Sequence, residues 1–85
     1  MKDERITVRL RVPPVLRHEL PAFAGSKEIE VSLPAGAAVA DLAAAVGLDL
    51  AERGLTAAVN GRMAEPATIL HQGDEVRLLP RVAGG

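Results

Sequence analysis

Residues 5 to 12 alternate without interruption, with Ile6, Val8, Leu10 and Val12 on one side and Arg5, Thr7, Arg9 and Arg11 on the other. A period of two is the mark of a strand that buries one face and leaves the other in water. Residues 27 to 33 repeat the pattern, with Ile29, Val31 and Leu33 inward and Glu28, Glu30 and Ser32 outward. Between Pro34 and Gly47 the period changes, and Val39, Leu42, Ala43 and Val46 fall at the i, i+3, i+4, i+7 spacing of an amphipathic helix. Two half-buried strands followed directly by a helix with one apolar stripe restrict the chain to an α+β arrangement in which the helix covers the apolar face of the sheet.

The punctuation agrees with the periods. Pro13-Pro14 closes the first strand, because neither residue can donate to a ladder, and Pro14 suits the start of a short helical turn over Val15–Leu20. If the two strands form an antiparallel hairpin, Arg9 and Arg11 can face Glu28 and Glu30. Solvated cross-strand pairs are the simpler reading, and a basic docking stripe is the alternative. Asp41 sits in the first helical turn and Gly47 where a left-handed residue stops the helix, but Ala37 and Ala38 offer no capping oxygen.

After the helix, Leu48 to Leu55 reads as a connection whose leucines tuck under the sheet, and Thr56–Val59 as a third strand. Asn60-Gly61 is a tight-turn signal, since both residues accept positive φ, and Arg62-Met63 begins the return. Thr68–Leu70 is expected as a short edge strand and Gln72-Gly73-Asp74 as a turn. Glu75–Leu79 is the last strand, with Val76 and Leu78 inward and Leu79 on the open face.

Size and composition limit function. Eighty-five residues, 48% of them hydrophobic, give one domain with a single core and no deep substrate cleft. Phe23 is the only aromatic residue, so the core must be aliphatic. A net charge of −1 provides no global field toward nucleic acid or an anionic membrane, and neither is expected as a partner. No apolar run approaches a signal-peptide core or a membrane span, so a cytoplasmic setting is expected. Without cysteine there is no disulfide, thiolate metal site or side-chain thiol for catalysis or sulfur relay. His18 and His71 lack the spacing of paired ligands, so no metal is expected. Nor does any nucleophile and base pair or phosphate-binding glycine loop point to an enzyme, and Asp74-Glu75 reads as a turn followed by a strand start.

The sequence finishes Leu79-Pro80-Arg81-Val82-Ala83-Gly84-Gly85. A tip without side chains fits a channel too narrow for a Cβ, while small residues also collect at frayed termini; both readings stand on the tail alone. A division follows into a domain over 1–79 and a flexible tail over 80–85. Taken with the opening hairpin, the single main helix, Val59-Asn60-Gly61 and Gly73-Asp74-Glu75-Val76, this ending resembles the MoaD/ThiS-type ubiquitin-like sulfur carriers, most of all the small subunit of molybdopterin synthase. The resemblance covers almost the whole chain.

The resemblance implies a β-grasp roll, a mixed sheet of four to five strands with one main helix on one face and the first and last strands parallel neighbours. It also implies a carrier and co-substrate, not a catalyst, with no bound cofactor. An E1-like enzyme would use ATP to adenylate Gly85, and a sulfur donor would displace AMP to leave a thiocarboxylate. Activation is needed because a terminal carboxyl, with a reference pKa of about 3.3 to 3.7, is a poorly electrophilic anion at neutral pH. The sulfur would then pass to a synthase, with the large subunit of molybdopterin synthase foremost. In this picture Arg81, Val82, Ala83 and Gly84 thread into the partner, and Leu79 and Pro80 dock at the root. Leu79 is equally an ordinary exposed apolar residue. Extended at about 3.3 Å per residue, Pro80 to Gly85 would project on the order of 20 Å. The departures are Ala38, where relatives place Thr or Ser, Arg81, where molybdopterin carriers often have proline, and a proline-rich Pro13–Ser26. The same tail would serve a modifier forming isopeptide bonds through Gly85, and an interaction domain with an incidental diglycine is the third reading.

Overall fold

The alternating run at the start of the chain folds as strand β1 (Arg5–Arg11) in the computed structural model, which describes residues 4–81. It pairs antiparallel with β2 (Glu28–Pro34) in the register Ile6↔Leu33, Val8↔Val31, Leu10↔Ile29. That register places both apolar rows on one face; a slip of one residue would turn a whole row into solvent. Helix α1 (Pro14–Arg17) and a 3-10 turn (Pro21–Phe23) lie between these strands. The main helix α2 (Val39–Ala45), a short α3 (Leu50–Arg53), and strands β3 (Leu55–Val59), β4 (Arg62–Ala64) and β5 (Glu75–Pro80) complete the chain.

The strands form one mixed sheet in the order β2-β1-β5-β3-β4. β5 runs parallel to β1 and antiparallel to β3, so the last strand sits at the centre, beside the first. The helices cover one face, and the architecture is the α+β roll of β-grasp type. Val8 and Leu10 of β1, Val76 and Leu78 of β5 and Val39 and Leu42 of α2 meet in a single core. Phe23 is 1% exposed, so the only aromatic residue fills the interior alongside the aliphatic ones.

Within the segment Pro34–Gly47 helix α2 begins only at Val39, because the chain from Pro34 to Ala38 is the descent from β2, and Val46 is its C-cap. Its start has no side-chain cap at Ala38; instead the Asp41 carboxylate accepts the Ala38 N–H at 2.8 Å, one half of a capping box. The next donors, the Val39 and Ala40 N–H groups, are taken by the carbonyls of Thr68 and Pro66, both at 2.9 Å. The segment expected as an edge strand over Thr68–Leu70 therefore makes only one bridge, Ala38↔Ile69, and works as a cap supplied from elsewhere in the chain. At the other end Gly47, with φ +88°, donates to Ala44 at 3.0 Å and Leu48 donates to Ala43 at 2.9 Å, the paired bonds of a Schellman stop.

Two further expectations are corrected. The connection over Leu48–Leu55 contains α3, whose start is capped by the Asp49 carboxylate accepting the Glu52 N–H at 3.0 Å; Leu48, Leu50 and Leu55 are buried as anticipated. The last strand also runs one residue further than Leu79, with Pro80 opposite Leu55 in the ladder. Pro80 is tolerated because the pairing with β1 has ended at Arg77, leaving β5 only one hydrogen-bonded neighbour there.

Leu42 is fully buried under the sheet. Leu42→Ala should lower unfolding free energy by about 2–5 kcal/mol in urea titration with an unchanged m-value. An unmoved midpoint would mean that α2 does not carry the core.

Candidate functional site at the root of the tail

The position of the tail's root is decided at the opposite end of β5. Asn60 and Gly61 adopt φ of +52° and +85° and make the two-residue turn between β3 and β4. The Asn60 N–H donates to the Glu75 carbonyl at 2.8 Å, and its side-chain Oδ1 accepts the Glu75 N–H at 2.9 Å. Its Nδ2 donates to Asp74 Oδ1 at 2.9 Å, while Asp74 Oδ2 accepts the His71 N–H at 2.8 Å. From the other side, β1 donates its Arg9 N–H to the Asp74 carbonyl at 2.9 Å and accepts the Gly73 N–H on the Thr7 carbonyl at 2.8 Å. The turn before β5 is thereby clamped between β1 and the β3–β4 turn.

With that register, Val76 and Leu78 face the core while Arg77 and Leu79 face outward. At the far end the Arg81 N–H donates to the Gly54 carbonyl at 2.7 Å, the last described tie between chain and scaffold. Leu79, Pro80 and Arg81 are thus brought together where β5 ends. Pro80 and Arg81 are exposed; Leu79 is half-buried, less open than the sequence suggests, because it faces Thr56 across β3 and walls hollows on both sides. Val82, Ala83, Gly84 and Gly85 lie outside the described residues.

The helix-free face carries a row fixed by register: Glu28, Arg11, Arg77, Ala58 and Met63, one from each strand. Arg11 pairs with Glu28 at 3.3 Å, as its cross-strand position predicts. Arg9 does not pair with Glu30; it reaches across the parallel neighbour to Glu75. Both carboxylates flank it, but Glu75 begins β5 directly opposite in the parallel register. Among the described residues, Arg77 has no carboxylate within 4.0 Å.

Beside Leu79 and Pro80 lies a groove of about 580 Å³ that no local pattern in the sequence announces. Its walls include Arg11, Arg17, Lys27 and Arg77. Arg17 comes from the proline-rich connection between β1 and β2 and Lys27 stands directly before β2, where the alternation places the strand's start, and nothing local marks either as a neighbour of the tail. His18 and His71 are both exposed, and no three His, Cys, Asp or Glu residues converge among the described residues.

The family described as ThiS matches residues 18–85. A candidate molybdopterin converting factor, subunit 1, from Pyrococcus furiosus is similar with a TM-score of 0.71 and 28% identity, covering 91% of this chain and 99% of that one. SAMP1 from Haloferax volcanii is similar with a TM-score of 0.65 and 26% identity, covering 93% of this chain and 99% of that one. The Caldiarchaeum subterraneum ubiquitin, at 16% identity, TM-score 0.58 and coverage of 96% of this chain and 100% of that one, shares the fold alone. No curated protein matches.

Asn60→Ala removes two side-chain bonds and places a Cβ-bearing residue without local bonding at positive φ, so it should cost about 1–3 kcal/mol in chemical unfolding. Asn60→Gly keeps the turn and should cost less, about 0.5–1.5 kcal/mol. If neither variant shifts the midpoint, Asn60 does not lock β5.

Proposed function

The chain belongs to the ThiS family, and from that premise we propose that it is a sulfur carrier that presents the carboxyl of Gly85 to an E1-like enzyme. The carboxylate attacks the α-phosphate of ATP, releasing pyrophosphate and forming an acyl-adenylate. A sulfide-level donor then displaces AMP, leaving a thiocarboxylate that passes its sulfur to an acceptor synthase. Gly85 is the acyl site, and Arg81, Val82, Ala83 and Gly84 thread into the partner's chamber, with Leu79 and Pro80 docking at its mouth. The reaction uses ATP supplied by the partner and calls on no side-chain chemistry of this chain, in keeping with a carrier and co-substrate. It fits the cytoplasmic setting anticipated from the sequence.

The observation that carries this reading is the family match running through Gly85, onto a scaffold whose central strand ends directly at the tail's root. It favours a thiazole-type or other sulfur-carrier pathway. The likeness to the Pyrococcus protein supports a place beside the large subunit of molybdopterin synthase. The likeness to SAMP1 over nearly the whole chain supports a second role, isopeptide bonding of Gly85 to lysines.

Incubation of the purified chain with its E1-like partner, ATP and sulfide should raise its intact mass by the exchange of one oxygen for sulfur. The chain lacking Gly84 and Gly85 should stay unchanged. An unaltered mass with a partner that is active in ATP–pyrophosphate exchange would remove the proposal. In cell extracts a carrier gives mainly one free band, whereas a Gly85-dependent ladder of heavier bands marks the modifier role.

A further inference from the structure

We propose that the groove beside the tail's root binds an extended, carboxylate-rich segment of the protein that receives the tail. Every ionisable residue lining it is a cation, Arg11, Arg17, Lys27 and Arg77, although the chain as a whole carries a net charge of −1. Only Arg11 has an acidic partner, Glu28; the other three have no carboxylate within 4.0 Å among the described residues. Glu19, close to Arg17 in sequence, is taken by Arg53 at 2.8 Å. The Arg17 Nε is buried and finds no hydrogen-bond acceptor. A buried donor without an acceptor is costly, and clustered like charges raise the local potential, the second of which an anionic occupant relieves.

The rest of the lining selects the kind of anion. Val12, Pro13, Pro14, Leu79 and Pro80 supply apolar surface between the cations. A lone phosphate would leave that surface uncovered. Nor could the prolines cradle it, since proline has no N–H to donate. An extended peptide in which acidic and apolar side chains alternate meets both requirements, with carboxylates on the guanidinium groups and apolar side chains on the prolines and Leu79. The groove touches Leu79 and Pro80, so a protein held there is already next to the tail that it must draw in. The identity of that partner rests on the carrier reading; the groove's chemistry does not.

The probe is a short synthetic peptide alternating Glu with apolar residues, titrated into the isotopically labelled full chain and followed by amide shifts. Shifts should gather at Arg17, Lys27, Arg77 and Leu79 and weaken with added salt. The Arg17→Gln/Arg77→Gln double variant should bind about tenfold more weakly. Because Arg17 is partly buried, Lys27→Gln/Arg77→Gln, which changes exposed residues only, serves as the second variant and should show a loss in the same direction. Equal binding of the peptide with Gln in place of Glu would overturn the proposal. So would equal shifts from inorganic phosphate or pyrophosphate, which would make this a small-anion site. Peptide binding without any mass gain on activation upholds the groove and removes the carrier reading; mass gain with no peptide binding does the reverse.

Discussion

The hydrogen bonds that hold β5 between β1 and β3 are the constraint on which the rest of the molecule depends. With β5 paired between β1 and β3, the chain must cross from β2 on one side of the β1–β5 pair to β3 on the other, and that crossover carries α2 and thereby the lid of the core. Both sides of the turn before β5 are secured, by the backbone of Thr7 and Arg9 on one side and by Asn60 on the other. The register so fixed decides at once which residues of β5 are buried and where the chain leaves the sheet. Load applied to the departing segment falls on a central strand, whose loss would open the whole sheet, and not on a frayed edge.

The same economy governs α2. A helix beginning at two alanines cannot cap itself, and its first free N–H groups are satisfied by carbonyls of Pro66 and Thr68. The loop that supplies them ends at Leu70, itself 1% exposed, so capping and core formation are one event. Phe23 does for the proline-rich connection what Leu70 does for this loop: a single large side chain pins an irregular segment to the interior.

What could be read from the sequence was what depends on near neighbours. The alternation of Ile6, Val8 and Leu10 fixed the buried face of β1, and Asn60-Gly61 announced its turn, because each is a property of adjacent residues. Asp49-x-x-Glu52 is also a local signal, the outline of a helix start, set among three leucines that by themselves suggest only burial. Other features were beyond local reading. Arg9 chooses Glu75 over Glu30 because a parallel strand sixty-six positions away arrives alongside, and no pattern near Arg9 encodes that arrival. Thr68–Leu70 looked like a strand because its composition suits one, but its hydrogen bonds were required by α2. Arg17 and Lys27 became part of the tail's surroundings only through the path of the connection between β1 and β2.

Charge on the open face and around the tail's root is only partly matched. Arg9 with Glu75 and Arg11 with Glu28 are neutralised in pairs, which suits residues that set register: exposed pairs add little energy, but they disfavour misalignments that oppose like charges. Arg77, in the same cross-strand row as Arg11, and, across the groove, Arg17 and Lys27 have no carboxylate partner among the described residues. A scaffold gains nothing in stability from unmatched charge, and clustered like charges work against the compact state. Unmatched cations gathered beside the end of β5 therefore do nothing for folding, whereas they suit the anionic segment proposed for the groove.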